Sequence, residues 1–578
     1  MLHLFDPVVT YSKHLKSTYV DDFSYKNHTI LLSILSLLIL FTALKPCLLN
    51  YRWSESNHIF ASLVLALIGY IAFSIKKSDL PKIMPPLIYI SSAMASFYII
   101  TARSPFLYEE ISAQIAVELY LIPIATLLCF IVGFWRPIFA CFPLLFMNWK
   151  KADLSEVFGY RLFLEDFGNI SEMGLIFICA FIILGLCERL KSKKTIFSLN
   201  INTIEKELTS YSDKKLHFLE YVAFFAIAVH LSNYFYSGWQ KIILSPDSLN
   251  PFYWVTENYT QYLLLTNDQL GLFPLSFNET LSKLTYQFLD KGYVILNILV
   301  LISQLMSLFI LRNVRATLFI TLFFDIMHIV IFLTTGIFFW KWILLNTSIV
   351  IGLTAFGNKQ LSNDFKNGLC LVVLCAPMLF FVARLGWFDT KGFNRYHIEA
   401  ITKNNEIVPL PLSYFWSASG LIGQGTLWGT QTRRRPFYFD SLTMAATSSA
   451  ERMHSANNCK LWMSEEHAKD HPYMVENYNP SQYYEENILK DERVYKKINA
   501  FFQRHHRFIL EKQPSKLEFY LYPHHFYAWW WHYPEFQKLD FNDIIGYRLN
   551  TEAVCLGFKD GEFTKDVLAK DSHDIFVK

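Results

Sequence analysis

The sequence predicts an all-α polytopic membrane domain of about eleven helical segments, followed by a small extramembrane α+β domain. Three observations carry this. Hydrophobic residues make up 53% of the 578 and charged residues only 17%, where a soluble chain carries about 25% charge. Up to about Gly386 apolar runs alternate with short polar links. Beyond it no run reaches the roughly 20 residues that a helix needs to cross a bilayer. The apolar content excludes a disordered chain, and the length excludes a disulfide-stapled miniprotein. A net charge of +3 gives no ground for a nucleic-acid partner.

The elements follow in order. Residues 1–28 are polar and aromatic and are read as an N-terminal segment on the cytoplasmic side, with no cleavable signal pattern. The membrane domain, 29–386, holds apolar segments at 29–49, 58–75, 86–102, 113–134, 137–147, 173–187, 217–236, 292–311, 316–336, 342–356 and 368–385. The fifth and tenth are short, so a re-entrant or interfacial placement stays open for each. The stretch 259–275 is amphipathic at best. In the tail, 387–578, the strands YHIEAI and EIVPLPL flank TKNN and predict a hairpin. Residues 480–513 read as helix and 515–533 as a strand with a bulky aromatic end. Trp529, Trp530 and Trp531 suit a membrane interface, or alternate members suit a core.

Lys and Arg in short loops set the orientation. The densest block is Arg189, Lys191, Lys193, Lys194, Lys206, Lys214 and Lys215. Placing it in the cytoplasm leaves the N-terminus inside and, after eleven crossings, the tail outside. Seven of the nine cysteines lie in or beside apolar segments, where Cys acts as a small hydrophobe; Cys459 and Cys555 lie in the tail, where a disulfide is open to them on an oxidising side. Asn169, Asn258 and Asn278 stand in glycosylation sequons. No Cys/His spacing predicts a metal. The loop GLIGQG (420–425), the run RRR (433–435) and the pairs His505–His506 and His524–His525 carry no specific chemistry.

Ionisable residues at membrane depth are costly and default to functional hypotheses. On the helix around 217–241, His230, Tyr234, Ser237 and Lys241 recur at i, i+4, i+7 and i+11. Eleven steps of about 100° return close to the start, so these four form one stripe about 16 Å long. The alternative is a Lys241 that snorkels to the interface and a His230 that bonds a neighbouring helix. Asp325 and His328 lie three apart and share a helix face; an Asp there would hold the tautomer of the imidazole, or the pair would lock two helices together. At matched depth, His230 and His328 are expected to line one cavity. The outer loop 154–173, with Glu156, Arg161, Glu165, Asp166 and Glu172, reads by default as solvated.

Three segments resemble the vitamin K-dependent gamma-carboxylase family and its wider HTTM class. The first is Tyr234-Phe235-Tyr236-Ser237-Gly238-Trp239-Gln240-Lys241. The second carries His328 on a helix, then Gly336, Phe338, Phe339 and Trp340. The third, fainter, is FGNISEMGLIFICAFIILG with a basic loop and FSLN at 197–200. Together they cover roughly 25–360.

The resemblance implies a helical membrane fold with a pocket for a reduced vitamin K-like quinone, opening outward. It implies that Lys241 is the base that deprotonates the hydroquinone, with His328 as second catalytic residue. His230, Tyr234, Ser237, Gly238, Asp325 and Trp340 would surround the quinone. It further implies carboxylation of glutamate in a protein or peptide substrate on the outer side. Ile170 stands where the family has a functional His, Gln240-Lys241 replaces a Lys-Lys pair, and the tail is shorter than in the animal enzymes. The two readings are therefore a quinol-oxidising, gamma-carboxylase-like enzyme and a non-enzymatic lipid- or quinone-binding or assembly protein whose external domain recruits a partner.

Overall fold

A helix occupies all or part of each of the eleven apolar segments. The computed structural model describes residues 22–49, 55–101, 120–147, 168–195, 201–244, 252–357, 359, 361–383, 389–419, 422, 457–459, 492–521 and 527–577. Among the described residues, the helices of the apolar region include α1 (Asp22–Leu49), α2 (Glu55–Ala72), α3 (Met84–Thr101), α4 (Ile122–Gly133), α5 (Pro137–Ala140), α6 (Gly168–Thr195), α7 (Ile201–Ile243), α8 (Thr260–Gln269), α9 (Glu279–Met306), α10 (Val314–Thr335), α11 (Trp340–Phe356) and α12 (Asn363–Cys375), with a single short turn of helix at Tyr253–Glu257 before α8. Five segments among the described residues are long and apolar enough to cross a membrane: Met84–Thr101, Gly168–Arg189, Lys215–Ile243, Glu279–Met306 and Val314–Thr335. The N-terminal segment to Asp21, most of the loop 154–173, GLIGQG, RRR and His524–His525 lie largely or wholly outside the described residues.

Local chemistry sets several boundaries. Asn278 caps α9 by accepting from Leu281 N, and Asn313 caps α10 by accepting from Arg315 N and Ala316 N, each meeting an orphan donor of a first turn. Helix α9 begins thirteen residues before the apolar run at 292. Its first half, ETLSKLTYQFLDK, is amphipathic, so hydropathy alone misses it. The basic stretch 189–215 is mostly helical backbone, continuing α6 and opening α7; no Pro or Gly occurs there to stop it.

Helix α7 packs against α6, α9 and α12, and α11 packs against α3 and α10. Gly238 lets α7 approach α9, since a Cβ there would lie 3.0 Å from Gln304 Cβ. At the end of the bundle away from the tail, Lys215 pairs with Glu188 (2.6 Å) and Asp79 (3.1 Å), and Lys359 with Glu220 (2.7 Å). Glu172 departs from the solvated loop expected for it. It lies buried in the first turns of α6, pairs with Lys45 at 2.5 Å and accepts from Phe381 N at 2.6 Å.

The tail contains β1 (Gly392–Thr402), β2 (Ile407–Pro409), α13 (Glu492–Lys512), β3 (Ile544–Lys559) and β4 (Glu562–Phe576). They form an antiparallel sheet in the order β2-β1-β3-β4 with α13 packed on it. The hairpin β1–β2 is the one the sequence predicts. The strand expected at 515–533 does not form. Ser515 donates to Glu518 Oε1 from both its backbone N (2.9 Å) and its Oγ (3.1 Å), and a short helix Glu518–Leu521 follows. A 3₁₀ turn spans Trp530–His532. The sheet instead uses β3 and β4, joined at Asp560-Gly561 with φ of 54° and 81°, the positive values that a tight hairpin turn demands.

Cys459 and Cys555 form a disulfide. The tail shares one apolar core with Tyr262, Leu272, Tyr286 and Ile337, so it is seated on the bundle. Trp529 donates from its indole to Leu272 O (3.0 Å) and Trp531 to Ser276 Oγ (3.2 Å), while Trp530 stays exposed.

Candidate functional site

Helix α7 turns Tyr234, Ser237 and Lys241 toward a cavity of about 310 Å³ enclosed with α9, α10 and α11. Its walls are mostly apolar, which is what a helix face in a bundle without water supplies. Leu299, Ile326 and Val330 line the cavity and are also half-exposed on the outer surface of the bundle, so it opens sideways between α9 and α10.

One end of the cavity is polar. Lys241 is buried; its Nζ donates to Ser237 O at 3.3 Å and sits 5.2 Å above the Trp254 ring. Asp389, from the link that leads into the tail, lines the same end and acts on Lys241 through its charge. Its backbone N donates to Asn258 Oδ1 (2.6 Å). Asn258 Nδ2 in turn donates to Asn297 Oδ1 (3.0 Å) and Thr260 Oγ1 (2.9 Å). Asn297 Nδ2 returns to Val255 O (3.0 Å) and Asn258 O (2.8 Å). The sequon at Asn258 is therefore a structural network, with its amide buried and both ends bonded. Asn278 is exposed, with its carbonyl oxygen used as a cap, and Asn169 is half-buried.

The other end is aromatic. Tyr234 stacks on Phe324 at 3.8 Å, and the His328 ring lies 5.2 Å from Phe339. Asp325 does not bond His328: its Oδ2 accepts from Thr347 Oγ1 (3.1 Å), and its Oδ1 and Nδ1 of His328 make no hydrogen bond. The short carboxylate reaches α11, while the imidazole turns toward Phe339 and Trp342. His230 and His328 flank the same Tyr234 ring, at 5.5 and 6.0 Å.

Of the residues singled out in the sequence, Lys241, Ser237, Tyr234 and His328 line the cavity. His230 and Asp325 stand behind that wall: His230 Nε2 bonds Asn346 Oδ1 at 2.8 Å. Gly238 serves the α7–α9 contact. Trp340 stacks near Tyr98 at 6.1 Å instead, and its neighbour Trp342 takes the cavity wall. Ile170 is buried in the bundle core. Sequence reasoning missed Asn297, Gln304 and Asn346, although each is a buried amide in an apolar helix, the same signal that identified His230. Asp389 carried no signal, because it sits in a link rather than a span.

The cavity is of a size that small-molecule sites have. Gln304 Oε1 and His328 Nδ1 are buried atoms without a hydrogen-bond partner on two of its lining residues. Apolar walls and a few polar ends fit the ring and oxygens of a quinone. Among the described residues no group of three His, Cys, Asp or Glu is placed to hold a metal ion. Comparison with known protein families, with curated proteins and with solved structures finds no match to this chain.

Proposed function

We propose that this is a multi-pass membrane protein whose bundle binds a reduced, quinone-like lipid and oxidises it, with Lys241 as the base. The observation that carries the reading is a buried lysine at one end of an apolar cavity that opens toward the lipid-facing surface. Such a quinol and dioxygen would give the quinone epoxide and water, one oxygen atom adding across the ring double bond and the other leaving as water with the two hydroxyl protons. Lys241 accepts a hydroxyl proton, Ser237 O orients its Nζ, and Asp389 balances the charge that Lys241 acquires. Tyr234 and His328 hold the aromatic end, and the apolar walls exclude water. Coupling to glutamate carboxylation is the narrower form of the reading, and Ile170 in place of a His makes it separable from quinol oxidation. The N-terminus lies in the cytoplasm and the tail outside. Support comes from the basic residues gathered at the end opposite the tail, and from the Cys459–Cys555 disulfide, which suits an oxidising side.

The test is oxygen-dependent consumption of a reduced naphthoquinone by the purified chain, with epoxide followed by chromatography and carbon dioxide fixation into a glutamate peptide measured alongside. Wild type should consume the quinol. Lys241→Met and Lys241→Arg should both abolish consumption, since Arg cannot shed its proton. Full activity in Lys241→Arg would remove Lys241 from the chemistry. A second reading, a non-enzymatic lipid-binding or assembly protein, is favoured by Asp389, which gives Lys241 a static counter-charge. Mass spectrometry separates the two: a copurifying naphthoquinone supports the enzyme, and phospholipid alone supports the binding protein.

A further inference from the structure

We propose that Asn346 is a positioning residue that holds Tyr234 as a fixed hydrogen-bond donor toward an oxygen of the molecule in the cavity. The proposal rests on the reading that the cavity binds an oxygenated ligand. Its ground is the direction of one buried chain of hydrogen bonds.

Asn346 is fully buried on α11, between two residues of α7. Its Nδ2 donates to Tyr234 Oη at 2.8 Å, and its Oδ1 meets His230 Nε2 at 2.8 Å. The rest follows from donor counting. His230 Nε2 faces a carbonyl oxygen and must carry the hydrogen, which leaves its Nδ1 as a bare acceptor, and that atom makes no hydrogen bond.

Tyr234 Oη accepts from Asn346, so its own hydrogen points elsewhere. No acceptor for that hydrogen occurs among the described residues, and Tyr234 lines the cavity. The ring is stacked on Phe324 at 3.8 Å and 3°, so the hydroxyl cannot swing away. A donor held in this way costs no reorganisation when it meets a ligand oxygen. Lys241 lies seven residues on, about two turns or 10.5 Å along the same helix, so the two polar contacts address opposite ends of one bound ring.

The experiment compares two probes of like shape, 2-methyl-1,4-naphthoquinone and 2-methylnaphthalene. Equilibrium binding is measured to the full chain in nanodiscs, with protein-free nanodiscs subtracted. Wild type should prefer the oxygenated probe. Tyr234→Phe and Asn346→Leu should each cut that preference roughly three- to tenfold, the value of one neutral hydrogen bond. The double variant should lose no more than either single one. Loosened packing would weaken both probes alike and leave their ratio in place. Should Asn346→Leu fail to fold, the isosteric Asn346→Asp serves, because its second oxygen would draw the Tyr234 hydrogen away from the cavity and lower the same ratio. An unchanged ratio in Tyr234→Phe, or additive losses, would overturn the positioning role alone. Wild type that binds neither probe would overturn the ligand reading and this proposal with it.

Discussion

Gly336 lies against the backbone of Leu272 so closely that a Cβ built on it would stand 1.8 Å from the Leu272 carbonyl oxygen. It ends α10 with φ +70°, a conformation that favours glycine. The same glycine accepts through its carbonyl from Tyr527 N at 3.0 Å, and Gly271 O accepts from Trp529 N at 3.1 Å. Two glycine-bearing backbones thus form the seat on which the tail rests.

Gly336→Ala should therefore undock the tail. The left-handed backbone alone costs about 1–2 kcal/mol for an L-residue, and the clash with Leu272 adds to it. The measure is limited proteolysis of the purified chain, with faster cleavage between the bundle and the tail than in wild type. An unchanged digestion pattern would mean that the seat yields without loss.

Acid should loosen the tail. Burial, and then the neighbouring His506, push His505 down to about 3, and burial pushes His506 down to about 4. Both imidazoles sit in the aromatic core, with His506 Nδ1 bonded to Tyr547 Oη at 3.1 Å. In the unfolded chain both take protons near 6.5, so the unfolded state binds more protons and stability falls with falling pH. The loss should run from about pH 6.5 to about pH 3. Hydrogen exchange of 492–512 should rise across that window, and His505→Phe should flatten part of the rise. Exchange that is flat over this range would contradict it.

Asn258→Ala should destabilise the cavity's polar end. It strands Asp389 N, while Thr260 Oγ1 keeps its bond to Asn297 Oδ1 (2.9 Å), and an unmet buried polar group costs about 1–3 kcal/mol. The expected result is a lower unfolding temperature together with weaker ligand binding. An Asn258 glycoform would be incompatible with this fold.

The orientation is tested by replacing the seven free cysteines, keeping the Cys459–Cys555 disulfide and introducing Lys559→Cys next to the exposed β3–β4 turn. An impermeant maleimide should label intact cells. Labelling only after permeabilisation would place the tail inside.

Much of the bundle was legible because hydropathy marks segments that avoid water, whether against protein or against lipid. The stripe of Tyr234, Ser237 and Lys241 was legible because a helix has one period, and period converts spacing into a shared face. The β3–β4 hairpin is equally legible in its Asp560-Gly561 turn, whereas the aromatic run at 515–533 has a strand's composition without forming one. There the indoles are spent on Leu272 O and Ser276 Oγ, partners more than 250 residues away in sequence, and no local pattern encodes them.

By itself the sequence determined which segments are apolar and helical, that a small sheet-bearing tail follows them, and which face of α7 carries a lysine and a tyrosine. Those properties depend on neighbours within a few turns. Only the tertiary structure decided that Asp389 lines the same cavity as Lys241, that Asn346 rather than Asp325 organises the histidine side of the site, and that Trp342 rather than Trp340 faces the cavity. Each of those depends on how two helices, or a helix and a link, are rotated against one another. That rotation is fixed by packing summed over the whole bundle, so no single segment contains it.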